Sequence, residues 1–550
     1  MCLREILCKI VIDKVIVKYK PLVIGNSVKN GSKPMNKLKP NATLILIFIF
    51  ILSAQIFSKA FFVSTAGNDI NNGTKEFPFA TLVKAASVSV AGDTIFIRGG
   101  LYSPTSTISL GSASKSGTST NYYHVLAYPG EKPVFNFSKQ TSSDGIKLNG
   151  NYWHLKGVEV MYSTHNGIAV NGSYNLIENC VVHDNKNTGM QFGNGASYNR
   201  VINCDSYYNF DPPSGGNADG FAPKLDVGTG NYFYGCRAWQ NSDDGWDGYL
   251  RPADNVTTVI ENCWAFMNGY LKDGKPISTG NGNGFKMGGG DSSNKDSLRH
   301  NVTIKNSLCF DNRVKGYDQN NDRGSMTILN CTGFRNGSYN FSIPGNFRAT
   351  SSATVKNCVS YLSPGVTFIN RVVQSNNSWN PVYNVSESDF LSIDTTGVRG
   401  PRKADGSLPD LKFLRLASTS GLIDIGTDVG LPFSGKAPDL GAYEYGLVSS
   451  VNEESQVPNE FKLEQNYPNP FNPETTISYT LQTPSKVSLK VYDLLGNEIA
   501  TLVNNFQTAG NYDIKFNVKT RHGASLQTGV YFYRIQTQTF SETKKMILLK

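Results

Sequence analysis

The sequence lacks an excess of charge beyond its first 60 residues. Its 550 residues include 52 Lys and Arg against 43 Asp and Glu, which gives a formal net charge of +9. Residues 1–39 hold nine basic and two acidic side chains, and Lys59 adds one positive charge, so residues 61–550 carry only +1. A protein that binds nucleic acid through a polycationic surface concentrates basic residues in its folded part. We therefore expect no nucleic-acid partner.

The sequence is also short of long hydrophobic runs. The apolar run 42–52 (ATLILIFIFIL) has 11 residues, whereas a membrane-spanning helix needs about 20. A short basic segment precedes this run, and Ser58 and Ala60 place small residues where a signal peptidase cuts. We predict that residues 1–60 form an N-terminal extension and signal peptide, with Met35 as the true start, and that the mature chain has no stable membrane span. An amphipathic anchor is the alternative.

The sequence also lacks an even number of cysteines. Nine cysteines would suggest disulfides in an exported protein, but Cys2 and Cys8 precede the apolar run and the other seven are odd in number. One position recurs in a common context, a short apolar strand followed five residues later by Asn. Its members are Cys180, Cys204, Cys236, Cys263, Ser307 and Cys331, with Asn185, Asn209, Asn241, Asn268, Asn312 and Asn336 after them.

This recurrence predicts the fold. Successive members are 24, 32, 27, 44 and 24 residues apart, and a base period in the mid-twenties is typical of one three-stranded coil of a parallel β-helix. Short β-branched and aromatic strands separated by Asn and Gly corners agree with that assignment. We predict an all-β chain, a right-handed parallel β-helix followed by a small C-terminal β-sandwich-like module.

Stacked coils explain the repeated Cys and Asn. Coils about 4.8 Å apart place equivalent residues in ladders, where each Asn can hydrogen-bond the corner of its neighbour. Cysteines in register point the same way, with Cβ atoms farther apart than the roughly 3.5–4.5 Å of a disulfide. We predict buried free thiols.

The chain divides into several segments. Residues 63–86 and 91–102 resemble the opening coil and cap of exported β-helix proteins. We expect coils to about Ser360, a closing cap to Tyr445, the end of a β-helix domain at 447, and a polar linker at 448–460. Residues 461–550 contain LEQNYPNPFNPETTISY, VYDLLGNEIATLV, GVYFYRI and TKKMILLK. They closely resemble the C-terminal sorting domain of type IX secretion substrates, which implies the type IX secretion machinery as a partner and a secreted or cell-surface protein.

A cluster of acids lies between the two long spacings, which indicate insertions at 205–219 and 269–283. Alignment on the x-Gly-aromatic step predicts one row of Ala222, Asp247, Lys286 and Asp318, and a second row of Asp219, Asp244 and Asn283. Asp244 and Asp247 can reach one ion only if residues 243–245 turn into the strand, because side chains alternate along a strand.

These acids are candidate metal ligands, namely Asp219, Asp243, Asp244 and Asp247. Crowded carboxylates repel one another and favour a cation, and hard oxygen donors suit Ca²⁺. Without a Cys and His ligand pattern nearby, zinc does not fit. Asx turns without a metal are the alternative. Lys286 lies in register with Asp247 on the next coil, where a salt bridge to the acids is one interpretation.

Three blocks carry a family resemblance: NADGF (217–221), SDDGWD (242–247) and GNGFK (282–286). In this order and spacing they resemble the active-site blocks of the family 9 polysaccharide lyases, which contain pectate lyases on a parallel β-helix. The resemblance covers about residues 61–445. It implies that Asp219, Asp243, Asp244 and Asp247 bind calcium and that Lys286 is the catalytic base.

The implied reaction is calcium-dependent β-elimination of polygalacturonate (pectate) by a monomeric enzyme, which leaves 4,5-unsaturated oligogalacturonides. Rhamnogalacturonan or another uronate polymer is an alternative substrate. A glycoside hydrolase on the same fold, which would use paired aspartates without lysine or calcium, and a non-catalytic carbohydrate-binding or adhesion β-helix are alternatives of other classes. Other basic residues near the acids are expected to be solvated surface charges, and binding of flanking substrate carboxylates is the alternative. They are Lys224, Arg251, Lys275, Arg299, Arg313 and Lys315.

Overall fold

Short parallel strands make up most of the regular structure between residues 58 and 446. The computed structural model describes residues 58–141, 143–290, 297–345, 347–369, 371–446, 461–481, 485–507, 510–518, 526–537 and 540–549. Residues 1–57 of the predicted extension and signal peptide, and the whole predicted linker at 448–460, lie outside these residues. In the first part of the described chain, three parallel sheets take their strands in turn, so that each complete coil contributes one strand to each sheet, and sheet A has additional strands at its two ends. This arrangement is the predicted parallel β-helix.

The strands of the three sheets recur in a regular order. Sheet A contains β1 (Ala60–Val63), β2 (Thr94–Ile97), β5 (Tyr123–Ala127), β8 (Trp153–Lys156), β11 (Leu176–Glu178), β14 (Arg200–Ile202), β17 (Asn231–Tyr234), β20 (Val256–Glu261), β23 (His300–Lys305), β26 (Met326–Leu329), β29 (Ala353–Lys356) and β32 (Val372–Ser375). Sheet B contains β3 (Gly100–Tyr102), β6 (Pro133–Asn136), β9 (Glu159–Met161), β12 (Val181–His183), β15 (Asp205–Tyr207), β18 (Arg237–Trp239), β21 (Trp264–Phe266), β24 (Leu308–Phe310), β27 (Thr332–Phe334) and β30 (Val359–Tyr361). Sheet C contains β4 (Ile108–Leu110), β7 (Ile146–Leu148), β10 (Ile168–Val170), β13 (Met190–Phe192), β16 (Phe221–Pro223), β19 (Trp246–Asp247), β22 (Phe285–Lys286), β25 (Lys315–Asp318), β28 (Tyr339–Ile343) and β31 (Val366–Phe368).

The interior is filled by ladders of apolar side chains. Because side chains alternate along a strand, every second residue points inward. On the inner face of sheet C, Phe221, Trp246, Phe285, Tyr317 and Phe341 are all buried and follow one another with ring centroids 4.7–5.3 Å apart. The helix α1 (Leu82–Val88), capped by the Thr81 hydroxyl, packs against β1, β2 and β4 at the N-terminal end.

The predicted asparagine ladder is confirmed. The amides of the members from Asn185 to Asn336 each donate a side-chain hydrogen bond to the amide oxygen of the next ladder member, at 2.8–3.0 Å, and the series ends on Asn340. The same oxygens accept backbone N–H groups at the corners. A second, shorter ladder through Asn175, Asn199 and Asn231 was not predicted.

The cysteine ladder is also confirmed. All seven cysteines among the described residues are buried, and none of them forms a disulfide. Backbone N–H groups of Cys180 and Cys236 donate to the sulfur atoms of Cys204 and Cys263 on the following coils. The thiols of Cys180, Cys204 and Cys236 also donate hydrogen bonds to backbone carbonyls. These buried sulfur atoms therefore have polar partners without forming disulfides.

The long loops adjoin sheet C, although their bounds differ from the prediction. The predicted first insertion included residues 205–207, which form strand β15, so the excursion starts after Tyr207. The 44-residue spacing contains two excursions, 267–284 before β22 and 287–299 after it. The first two loops touch each other, because the Thr279 hydroxyl donates to the Ser214 carbonyl. Extra chain is therefore concentrated around β16, β19 and β22.

The predicted closing cap is wrong in its position. Strands continue beyond Ser360 to β32, and residues 387–446, here called the covering segment, lie along the outer face of sheet B. This face carries an aromatic row that needs cover from water. The row is Trp239, Phe266, Phe310 and Phe334, and it packs against buried residues of the covering segment such as Phe413 and Leu440. Arg402 anchors the segment through an ion pair with Asp205 at 2.7 Å.

The described residues after 460 form two antiparallel sheets. One sheet contains β33 (Lys462–Leu463), β34 (Glu474–Leu481) and β37 (Gly510–Asn517). The other contains β35 (Ser485–Tyr492), β36 (Glu498–Gln507), β38 (Gly529–Gln536) and β39 (Ser541–Leu548). Their apolar faces share a core of their own that includes Ile477, Leu489 and Tyr533. Across the described residues, no helix has the length and apolar character needed to cross a membrane.

Candidate active site

Three neighbouring strands of sheet C, β16, β19 and β22, place the candidate residues side by side. Phe221 pairs with Trp246, and Trp246 pairs with Phe285, all pointing inward. The residues that follow therefore point outward, and Asp247 pairs with Lys286, which pairs with Asp318. This is the row predicted from the sequence. Its members are buried although they face outward, because the long loops around sheet C surround them.

The second predicted row is a hydrogen-bonded ladder at the entrance to the same strands. The N–H of Asp244 donates to Asp219 Oδ1 at 3.2 Å, and the N–H of Asn283 donates to Asp244 Oδ1 at 2.8 Å. The row continues to Lys315, whose N–H donates to Asn283 Oδ1 at 3.1 Å. One oxygen of each carboxylate is thus tied to the next coil, and the second oxygen remains for another partner.

Three of the four predicted metal ligands form one cluster. Asp219, Asp243 and Asp244 are buried, and one carboxylate oxygen from each lies within 4.8 Å of the others. Burial and the charges of Asp244 and Asp219 raise the pKa of Asp243 to about 9. Burial also raises the pKa of Asp244 to about 7, although Lys286 opposes the shift. Carboxylates with raised pKa values favour either protonation or a cation that would replace the protons.

The fourth predicted ligand, Asp247, lies between two lysines. Its Oδ1 is 3.1 Å from Lys286 Nζ, and its Oδ2 is 3.3 Å from Lys224 Nζ. Burial would raise the pKa of Asp247, but these two ammonium groups outweigh burial and hold the pKa below its ordinary value. Asp247 is therefore the carboxylate of the site that stays ionised without a metal.

Lys286 bridges two coils. Its Nζ is 3.1 Å from Asp244 Oδ2 as well as 3.1 Å from Asp247 Oδ1. Both aspartates reach this atom because the chain bends at residues 242–243 and at Gly245 before β19, as the Asp-Asp-Gly sequence predicted. Burial would lower the pKa of Lys286, but Asp247 and Asp244 raise it well above its ordinary value. Asp244 Oδ2 has no hydrogen bond of good geometry.

Lys224 is a site residue that the sequence reasoning missed. It was expected to be a solvated surface charge, and that expectation is wrong, because Lys224 is buried and its Nζ is 2.6 Å from Asp219 Oδ2. The aligned residue Ala222 has only a methyl group, which leaves room on the outer face for Lys224 to turn back over its own strand. The sequence signal for this placement was Ala222, a small residue at a row position that is charged on the three following coils.

The other basic residues have partners outside the acid cluster. Lys275 pairs with Asp273 and Arg299 pairs with Asp254, as surface charges do. Arg313 is not a simple surface charge, because it donates to the Gly280 carbonyl and so holds the loop before β22. Lys315 pairs with Asp318 at 3.1 Å.

The residues present fit a hard divalent cation. Asp219, Asp243 and Asp244 offer carboxylate oxygens within 4.8 Å of one another, and Asp244 Oδ2 has no hydrogen bond of good geometry. These donors are all oxygens, without Cys or His. Oxygen-rich sites of flexible geometry suit Ca²⁺. The nearest histidine on the following coil, His300, is bound inside the helix to Thr258 and the Gly248 carbonyl.

Comparison with known proteins assigns the family. A family model described as "Pel9A-like, right handed beta helix region" matches residues 61–361. Pectate lyase L of Dickeya dadantii is 41% identical over 397 residues, a match that covers 70% of this chain and 90% of that protein. The chain belongs to the Pel9A-like family of polysaccharide lyases.

Two solved structures agree with this assignment. The crystal structure of pectate lyase Pel9A is 39% identical, with a TM-score of 0.65, and the match covers 70% of this chain and 96% of that one. A rhamnogalacturonan lyase is 29% identical, with a TM-score of 0.59, and covers 66% of this chain and 97% of that one. The predicted right-handed β-helix, the pectate-lyase-like solenoid, and the predicted family 9 polysaccharide lyase are confirmed.

A second match concerns the C-terminal sheets. A family model described as "Secretion system C-terminal sorting domain" matches residues 465–549. The predicted type IX sorting domain is confirmed, and the protein is secreted or displayed at the cell surface.

Proposed function

We propose that this chain is an exported, calcium-dependent pectate lyase that cleaves polygalacturonate by β-elimination. One observation carries the proposal. On three adjacent coils, the Lys286 ammonium lies 3.1 Å from both Asp244 and Asp247, directly beside the buried cluster of Asp219, Asp243 and Asp244. A base and a cation site thus adjoin each other, as proton abstraction next to a carboxylate requires. The similarity to pectate lyase L of Dickeya dadantii supports this substrate class.

We assign the calcium site to Asp219, Asp243, Asp244 and Asp247. The first three already offer oxygens within 4.8 Å of one another. Asp247 is the neighbouring ionised carboxylate, and Lys286 balances part of its charge. Bound calcium would neutralise the C6 carboxylate of a galacturonate unit and stabilise the negative charge that develops when C5 loses its proton.

We assign the catalytic base to Lys286. A lysine accepts a proton only in its neutral form. Without a cation, the neighbouring carboxylates hold the Lys286 pKa well above its ordinary value. Because positive charge among the same carboxylates opposes this effect, the base and the metal requirement are linked. Burial of Lys286, which is 6% exposed, then favours the neutral form of its amine.

The proposed reaction balances without further cofactors. Lys286 Nζ takes the C5 proton, the electron pair of the C5–H bond forms the C4–C5 double bond, and the C4–O4 bond breaks. Water supplies a proton to O4 of the departing chain, and Lys286 later returns its proton to solvent. The product is a 4,5-unsaturated oligogalacturonide.

We also propose how the chain is processed. Residues 1–60 are removed as extension and signal peptide, residues 61–447 form the lyase domain, and 448–460 link it to the sorting domain at 461–550. The type IX secretion machinery would bind and remove that last domain. We expect the mature enzyme to be a monomer.

Ultraviolet absorbance of the conjugated double bond tests the activity. We expect absorbance to rise with polygalacturonate and calcium, to stop when a chelator is added, and to return with excess calcium. The Lys286→Ala variant is the control for contaminating lyase. Wild-type protein that releases reducing ends without absorbance would contradict the proposal and favour a hydrolase.

A second candidate substrate is rhamnogalacturonan. The solved rhamnogalacturonan lyase aligns over 66% of this chain with 29% identity. The same assay with rhamnogalacturonan and with alginate separates the substrates, because each lyase product absorbs but only the preferred polymer gives a high kcat/KM.

A further inference from the structure

Lys224 is a buried cation that the proposed chemistry does not use. It follows β16 directly and is only 8% exposed. Its Nζ is 2.6 Å from Asp219 Oδ2 and 3.3 Å from Asp247 Oδ2, so it joins carboxylates on two adjacent coils. A lysine is seldom buried unless its charge is paired, and a pair inside a site is held more rigidly than one at the surface.

Asp247 is oriented from two sides. Its Oδ1 faces Lys286 and accepts the Tyr249 N–H at 3.1 Å, while its Oδ2 faces Lys224. The plane of this carboxylate is thus defined by one lysine on each oxygen. Replacing Lys224 with a neutral residue would leave Asp247 Oδ2 without its ammonium partner. The Asp247 carboxylate, which contacts Lys286 through Oδ1, could then rotate.

Asp219 is oriented in the same manner. Its Oδ1 accepts the Asp244 N–H, and its Oδ2 is shared by Lys224 and the Thr188 hydroxyl. Lys224 therefore contacts Asp219 Oδ2, the oxygen that does not accept the Asp244 N–H. The two lysines act on different atoms, since Lys286 contacts Asp244 and Asp247 whereas Lys224 contacts Asp219 and Asp247.

We propose that Lys224, anchored by Asp219, is a positioning residue that acts through Asp247 and holds it in the orientation that the base Lys286 requires. This inference rests on the proposed function. It assigns no contact with substrate to Lys224, and it differs from a role as metal ligand or base.

Lys224→Met provides the first test, because methionine matches the length of lysine and removes its charge. At saturating calcium we expect kcat on polygalacturonate to fall about a hundredfold, as displaced catalytic groups typically cost. KM should change less than about threefold, since no substrate contact is lost. Calcium binding measured by isothermal titration calorimetry should persist, and raising calcium further should not restore kcat. The matched control is Lys305→Met, which removes a part-buried lysine paired with Glu261 at 2.9 Å on sheet A.

Lys224→Arg provides a second test should the methionine variant fail to fold. Arginine keeps the charge, but its planar guanidinium cannot occupy the position of a compact ammonium between two carboxylates. We expect calcium binding and thermal stability close to wild type, with kcat lowered about tenfold. Wild-type kcat in either folded variant, or a loss that high calcium restores, would overturn the inference. An inactive wild-type protein would instead refute the proposed function.

Discussion

Lys286 and Asp247 are register partners on adjacent coils, and Lys286 Nζ lies 3.1 Å from Asp247 Oδ1. The contact joins the proposed base to the carboxylate that both lysines keep ionised. It follows from the stacking of β19 on β22, because parallel coils bring equivalent residues to about 4.8 Å spacing. The proposed chemistry depends on this pair.

The first prediction concerns the base. Lys286→Ala should remove nearly all turnover, a loss of about a hundredfold to ten-thousandfold in kcat, because general-base catalysis contributes about 10²–10⁴. Lys286→Arg should fail almost as badly at neutral pH, because a guanidinium remains protonated. Circular dichroism and calcium calorimetry should show that both variants keep the fold and the ion. A substantial remaining activity in Lys286→Ala would reduce the lysine to a salt-bridge partner.

The second prediction concerns the cation. Asp244→Ala removes a carboxylate from the cluster and should weaken calcium affinity at least about tenfold, with partial recovery of activity at high calcium. Calorimetry measures the affinity and the absorbance assay measures the recovery. Asp254→Ala, which removes a surface partner of Arg299, is the control. Calcium affinity unchanged in Asp244→Ala would contradict the assigned site.

The third prediction concerns pH and His183 on sheet B. Its Nδ1 is 2.7 Å from Asp184 and its Nε2 is 3.2 Å from Glu159, its ring stacks on Tyr207, and Lys272 shares Asp184. Burial would lower the pKa of His183, but the two carboxylates outweigh it and raise the pKa above 6.5. The stabilisation is therefore complete below about pH 6.5 and is lost as pH rises through the folded pKa.

Melting temperatures of wild type and His183→Gln measure this effect. We expect the difference between them to be largest near pH 6 and to shrink toward pH 9. A difference that grows with pH would show that the neutral imidazole is the stabilising form.

The fourth prediction concerns the thiols. Thiol counting on the mature protein, denatured without reductant, should find seven free cysteines, because all seven of the described cysteines are buried and unpaired. The folded protein should react slowly, since burial excludes the reagent and disfavours the thiolate. Recovery of only one thiol would mean three disulfides.

The fifth prediction concerns the two ends of the exported chain. Mass spectrometry of protein from the culture medium should show a start at Phe61 and loss of the sorting domain. Removing residues 461–550 from the gene should keep the protein from leaving the cell. An extracellular form that ends at Lys550 would contradict removal of the domain.

The rows of the site could be predicted from the sequence because a β-helix repeats in register. Once the Cys and Asn recurrence defines the coils, Asp247, Lys286 and Asp318 must align, as they do in the structure. The same period places the thiols and the asparagine ladder in the interior, where each coil satisfies the polar groups of its neighbour. For these features, the sequence repeat is enough to predict which residues are neighbours in the folded protein.

Tertiary structure alone decided where long side chains and unrepeated segments lie. Lys224 occupies the site because its flexible chain folds back over Ala222 to reach Asp219, and no spacing encodes that path. The covering segment lies along sheet B because an aromatic row there needs burial, which depends on contacts between residues such as Phe310 and Phe413, about a hundred positions apart. Asp247 lies outside the cluster of the other three carboxylates, and its oxygens face two lysines from different coils. The spacing of the repeat does not predict that these two lysines meet at one carboxylate.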